Sequence, residues 1–280
     1  MITALSLLTF ISCKKDKTDP DLSGFNLADD EAVSEAVFED VFNSMDNATI
    51  ILEESVKGGD TKSEILSEDT CPVISVTHPT TGIWPKVITL DYGSGCTGFF
   101  DNTRSGKIVI EVTGPRNEAG SKRTVTFDNY YFNRIKVEGE KVFENLGLND
   151  NQNPVISVTL TGGKLILPDG TVIERSVDHQ REWIAGFSTR NIWDDECLIT
   201  GIASGKNIKG YEYTRTITTA LHWKRVCQFL VSGVIKIERE GAEPAELDYG
   251  SGDCDNKANV TGGGETKEIM LKHRHRKMVN

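Results

Sequence analysis

The chain lacks any apolar stretch approaching the roughly 20 residues that a membrane-spanning helix needs; the N-terminal run, Ile2 to Ile11, is too short. It is also short of basic charge, with 31 Lys and Arg against 42 Asp and Glu and a formal net charge of −11. Phosphate binding needs a basic face, so nucleic acid is excluded as a partner. Neither G-x-S-x-G nor H-E-x-x-H occurs, which removes two local signatures of hydrolytic chemistry. His78, His179 and His222 are scattered near strand or turn sequence. Gly93-Ser-Gly95-Cys-Thr-Gly98 spells G-x-G-x-x-G, but strand sequence follows it instead of a helix. No helix N-terminus would then meet a pyrophosphate, and the nucleotide reading is rejected.

What is present begins at Cys13, preceded by the apolar run and Ser12 and followed by Lys14, Lys15 and Asp16. An apolar segment, a small residue, a cysteine and a charged tether make a bacterial lipoprotein signal. The expectation is a signal peptide over residues 1–12, lipidation of Cys13 (diacylglycerol on the thiol, palmitate or a similar chain on the new amino terminus) and a tether over 13–28. Phe10 stands where Leu is usual and no Lys or Arg precedes the run, so the alternatives are an ordinary secretory signal or a buried core strand, the latter disfavoured by the solvated character of Lys14 to Asp21. Lys14 occupies the position where Asp would signal inner-membrane retention in some Gram-negative bacteria. The expected location is the cell envelope, lipid-anchored to the outer membrane, with the periplasmic and surface faces both open. The cluster Lys272-His-Arg-His-Arg-Lys277 reads as a solvated basic tail over 273–280.

Five further cysteines are distributed unevenly. Residues 88 to 96 read Ile-Thr-Leu-Asp-Tyr-Gly-Ser-Gly-Cys, and 245 to 254 read Ala-Glu-Leu-Asp-Tyr-Gly-Ser-Gly-Asp-Cys. Each copy follows a second cysteine that heads a β-rich run, Cys71-Pro-Val-Ile and Cys227-Gln-Phe-Leu. Lys107-Ile-Val-Ile-Glu-Val is matched with Lys267-Glu-Ile-Met-Leu, which places duplicated units at about 71–113 and 227–271. The repeat predicts disulfides Cys71–Cys96 and Cys227–Cys254 and leaves Cys197 as a free, buried thiol.

Between the repeats, alternation of period two dominates. Ile156, Val158 and Leu160 alternate with Ser157 and Thr159, and Val125 and Phe127 with Thr124, Thr126 and Asp128. Gly162-Gly163 and Pro168-Asp169-Gly170 read as turns. Ile173, Val177 and Trp183 share a parity with Arg175, His179 and Arg181, so that strand is only partly apolar on one face. Further strands are expected near 198–203, 211–218 and 229–237. One segment differs: Val33, Val37, Val41 and Met45 fall four apart, with Phe38 and Phe42 alongside, after Asp29, Asp30 and Glu31. That pattern predicts an amphipathic helix over 29–48, within a helical region 29–56, docked on the β domain. A linker is expected over 57–70 and the β domain over 71–272. The fold class is mainly β: an antiparallel sandwich or strongly twisted open sheet with one N-terminal amphipathic helix.

Two constellations could carry chemistry. Asp248, Asp253, Asp255 and Asn256 crowd into one turn, and Ca2+ is the cofactor such oxygens would take. The competing reading has the same side chains capping their own turns. Tyr130, Tyr131, Trp183 and Trp223 would form a ligand platform for sugar rings or a protein if exposed, and core if buried. No residue is assigned a catalytic role.

The paired Asp-Tyr-Gly-Ser-Gly turns, Phe127-Asp-Asn-Tyr-Tyr-Phe-Asn133, Arg181-Glu-Trp-Ile-Ala-Gly186 and Ile199-Thr-Gly-Ile-Ala-Ser-Gly205 together resemble one family. It is a family of uncharacterised lipoproteins and secreted proteins of the Bacteroidota, and the resemblance spans about residues 27–272. In that family's phylum a charged stretch after the lipidated cysteine can direct export to the cell surface, which the resemblance extends to Lys14 to Asp16. Cys197 departs from the family pattern. The resemblance implies no catalytic residue. The expected function is an envelope-anchored lipoprotein with a non-catalytic binding or interaction role, for a glycan or another surface component. A lipid or lipoprotein carrier whose curved sheet is covered by the helix is one alternative. An envelope hydrolase without a recognisable motif is the other.

Overall fold

The computed structural model describes residues 23–56, 64–67, 71–78, 83–97, 102–189, 191–227 and 229–271. The expected signal peptide, Cys13 and the basic tail lie outside the described residues. A single α-helix among the described residues, α1 (Ser23–Val56), precedes β1 (Glu64–Ser67), β2 (Val73–Thr77), β3 (Lys86–Asp91), β4 (Cys96–Thr97) and β5 (Thr103–Val112). The long strands follow: β6 (Lys122–Phe132), β7 (Ile135–Leu148), β8 (Pro154–Ile166), β9 (Val172–Ala185), β10 (Glu196–Lys206) and β11 (Glu212–Lys224). The last are β12 (Phe229–Glu238), β13 (Ala245–Ser251), β14 (Lys257–Gly262) and β15 (Glu265–Met270).

These strands form one antiparallel sheet in chain order from β1 to β15, with β4 paired only to β5. Of the two expected β architectures it is the open sheet that forms. Turn chemistry explains the meander. In the β8–β9 turn, Gly170 N donates to Leu167 O (2.9 Å) and Thr171 N to Asp169 Oδ1 (3.0 Å). In the β10–β11 turn, Asn207 Oδ1 accepts from the backbone of Lys209 (3.0 Å) and Tyr211 (2.9 Å). Asn149 does the same for Asn151 and Asn153 between β7 and β8. Such side-chain bonds to the next backbone amides favour tight reversal over strand continuation.

The sheet curls around α1, which runs lengthwise through its hollow. Asp30, near the helix start, receives a bond from Ile208 N (3.4 Å) at the β10–β11 turn. Glu53, near its end, accepts from Arg116 N in the opposite loops. Val37, Phe38, Val41, Phe42, Met45 and Leu52 are buried. The ring of Phe42 lies 5.6 Å from Phe143 on β7, 5.9 Å from Trp183 on β9 and 5.7 Å from Trp223 on β11. One helical residue thus touches three alternate strands, which requires a strongly curved sheet.

Four expectations are corrected. The helix begins at Ser23, so 23–28 is helical and not tether, while its end at Val56 matches the expected helical region. The 57–70 linker contains β1. Gly162 and Gly163 are not a turn; they lie inside β8, where the register shifts between Leu160 and Gly163. A Cβ at Gly163 would sit 2.6 Å from the carbonyl oxygen of Arg175, so glycine there permits a close strand approach. Finally, the strand beside β13 is β14: Leu247 pairs with Val260 as Leu90 pairs with Ile108. The structural counterpart of Lys107–Val112 therefore starts near Asn259, before the 267–271 segment matched by sequence.

Candidate functional site

The hollow is lined with cations. Residues 23–56 contain nine carboxylates and no Lys or Arg, and their acidic stripe Glu31, Glu35, Glu39 has the four-residue spacing of one helix face. Arg175 on β9 reaches Glu31 with one nitrogen and Glu35 with the other (2.8 Å). Arg215 on β11 places Nε 2.7 Å from Glu31 Oε1 and Nη2 3.4 Å from Glu35. One turn further along, Arg181 grips both oxygens of Glu39, its guanidinium 4.2 Å from the Phe42 ring centre. Toward the helix end, Arg225 donates to Asp46 (2.7 Å) and Asn47 (2.6 Å). On the other side of the helix Asp40 accepts from Arg104 Nε (2.9 Å) and from Tyr130 (3.5 Å).

Low polarity and dense charge set the protonation states. Burial pushes Glu35 up, but Arg215 and Arg175 outweigh it and hold the carboxyl below the usual range. Burial, then Arg215, pushes His179 down to about 2, so its neutral ring faces Arg215 Nη1 at 3.0 Å as an acceptor. Burial, then Arg181, pushes Lys141 down to about 7 while its Nζ donates to Phe38 O (3.1 Å) on the helix. Asp195 rises to about 6 through burial and the neighbouring Asp46. These are groups that catalysis could use, yet Lys141 bonds the helix backbone directly, Glu35 is held by Arg175, and His179 and Asp195 lie against Arg215 and Arg225, which themselves pair with the helix. The void beside them, lined in part by Glu35, Glu39, Trp223 and Tyr249, measures about 40 Å³. That is room for one or two waters.

The expected ligand platform does not assemble. Tyr130, Trp183 and Trp223 are buried in the hollow, and only Tyr131 points outward. Inward parity on alternating strands explains this, because curvature turns that whole face toward the helix. Asp248 Oδ1 accepts from Gly250 N (2.9 Å) and Asp255 Oδ1 from Lys257 N (3.2 Å), the bonding of turn caps. Asp91 does likewise for Gly93 N (2.8 Å). Among the described residues no group of three or more His, Cys, Asp or Glu is placed to hold a metal, whether around Asp248, Asp253, Asp255 and Asn256 or elsewhere. Both cysteine pairs are within disulfide distance, with Cα separations of 6.2 Å for Cys71–Cys96 and 5.2 Å for Cys227–Cys254, and Cys197 is buried and free. Burial raises the Cys197 thiol to about 12, so it is inert. His222 bonds Glu196 (2.7 Å) on the outer face, and Glu182 accepts from Asn153 (2.8 Å).

Sequence reading missed two features. Inward Arg175, His179 and Arg181 were visible as an interruption of apolar parity, and the acidic stripe as a four-residue spacing; neither pattern alone names the other as partner. The second is a recess on the outside of the sheet. It spans β8 to β12 near the helix start, is open to solvent with a volume of about 740 Å³, and is lined by Gly163, Glu174, Ser176, Ser204, Lys206 and Thr214, among others. No helix among the described residues is long and apolar enough to cross a membrane. No protein-family model, curated protein or solved structure matches the chain.

Proposed function

We propose that this chain is an envelope-anchored lipoprotein with a non-catalytic binding or interaction role, held by lipid at Cys13. The observation that carries the reading is the filled hollow. α1 occupies the concave face, where its Glu31, Glu35, Glu39, Asp40 and Asp46 pair with Arg104, Arg175, Arg181, Arg215 and Arg225. A ligand is therefore to be sought on the outer surface, where a recess lies over β8–β12. The carrier alternative loses support from the same observation, because about 40 Å³ beside the helix cannot shelter an acyl chain. The hydrolase alternative loses support because the convergent carboxylates and His179 are enclosed and paired.

The anchor is tested by growing the native host with an alkyne-tagged fatty acid and measuring the intact mass of the purified protein. The expected outcome is a triacylated chain beginning at Cys13, with label absent from Cys13→Ala and that variant released from the membrane fraction. Label retained by Cys13→Ala, or an unacylated wild-type chain in the soluble fraction, would defeat the anchor.

A further inference from the structure

We infer that the outer recess across β8–β12 is a carbohydrate-binding site; this names a ligand class for the binding role proposed above and rests on it. The floor of the recess is backbone. Gly163 and Gly205 let neighbouring strands close in: a Cβ at Gly205 would overlap the carbonyl of Glu174, as one at Gly163 would crowd that of Arg175. Over this floor, strand register lays out two rungs of outward side chains. One carries Lys164, Glu174, Lys206 and Glu212 opposite one another. The next carries Ser176, Ser204, Thr214 and Glu238. Lys206 is paired with Glu212 (3.3 Å), while the Glu174 carboxylate and the three hydroxyls have no side-chain partner among the described residues.

The chemistry of the lining selects the ligand by exclusion and by fit. Basic groups alternate with acidic ones, so there is no field of one sign to gather a phosphate or a polycation. Apolar side chains are missing apart from the ring of Tyr213, so an acyl chain would gain little. What the recess offers is a grid of donors and acceptors, about 4.8 Å apart between strands and about 7 Å apart between rungs. A ligand that donates and accepts at many points without net charge matches that grid, and vicinal sugar hydroxyls do so. At the edge, the exposed ring of Tyr211 packs against Arg239 at 4.3 Å, an aromatic face of the kind that sugar rings stack on. A volume of about 740 Å³ accommodates several rings. The recess lies at the end where α1 starts, and the nine residues between Cys13 and Ser23 let the two lie at most about 36 Å apart. With the anchor in place, the same chemistry could be met on a glycolipid headgroup or on a free oligosaccharide.

The test uses the full chain in detergent. An oligosaccharide array, followed by calorimetry on the best glycan, addresses the free source. Co-sedimentation with phosphatidylcholine vesicles, with and without a neutral glycolipid, addresses the headgroup. Binding in either arm is expected to weaken about tenfold or more, about 1.4 kcal/mol or more, in Ser176→Ala/Ser204→Ala/Thr214→Ala and in Glu174→Gln, since each loses hydrogen bonds to the sugar. Those side chains face solvent, so melting temperatures should not move. Absence of binding in both arms, or binding that neither variant weakens, overturns the assignment. An envelope ligand whose hydrogen-exchange footprint falls elsewhere on the outer surface would overturn the recess while leaving the binding role intact. An unlipidated protein that still binds sugar at the recess would do the reverse to the anchor.

Discussion

Lys141 shows what a single residue tells about this interior. Its ammonium sits between the rings of Phe38 (5.5 Å) and Phe143 (5.2 Å) and its proton-binding affinity is lowered chiefly by burial, then by Arg181. In the unfolded chain the same lysine keeps its ordinary value of 10.5, so between about 7 and 10.5 the unfolded state binds more protons. Stability present above that window is lost as pH falls toward 7. Lys141→Met removes this contribution, so urea midpoints at pH 7 and pH 9.5 should converge relative to wild type. An unchanged pH slope would mean that Lys141 is charged and solvated in the folded protein. His179 acts at lower pH in the same direction: its folded value lies below 6.5, so its contribution is lost as pH falls below that range.

At the scale of the element, α1 could not be stable alone. Glu31, Glu35 and Glu39 repel one another at four-residue spacing, and no basic residue relieves them. The sheet supplies the relief through Arg175, Arg215 and Arg181, so helix formation and docking are one event. Buried ion pairs add little net stability, because desolvation offsets attraction, but breaking one strands a charge. Arg181→Met alone should therefore cost about 3–5 kcal/mol, and the double variant Arg181→Met/Glu39→Leu should recover most of that loss. A denaturant double-mutant cycle reads both. Equal and additive losses would show that the pair is not coupled, and that helix register is set by Phe42 and its aromatic neighbours alone.

The whole molecule is an open sheet whose two margins each carry a disulfide. Strand direction alternates along the meander, so Cys71–Cys96 closes one end of the hollow and Cys227–Cys254 the other, although the turn sequences are nearly the same. The inward tyrosines of those turns, Tyr92 and Tyr249, are both buried. The sequence separations of 25 and 27 residues imply a stabilisation of about 3 kcal/mol for each bridge by restriction of the unfolded chain. Replacing either pair by serine should lower unfolding free energy by about that amount, and replacing both should add, because the sites are far apart. Losses well short of additive would point to coupling between the sheet margins through α1.

Most strand positions, the antiparallel class, the helix and the cysteine pairing are legible in the sequence, because each depends on a local period or on a repeated turn. Alternation such as that of Ile156, Val158 and Leu160 is no guide to curvature, however, and curvature is what moved Tyr130, Trp183 and Trp223 from a possible platform to the core. The role of Arg175, Arg181 and Arg215 was hidden for a related reason: an inward arginine reads as a flaw in an apolar face until an acidic helix stands opposite it, 140 or more residues away in the chain. The recess depends on Gly163, which reads as part of a turn in the sequence, and on Gly205; the effect of both is a close approach of strands. Local order follows from neighbours along the chain, which the sequence lists directly. Which faces meet, and which hollows remain, follows from packing among distant segments, and only the tertiary structure decides it.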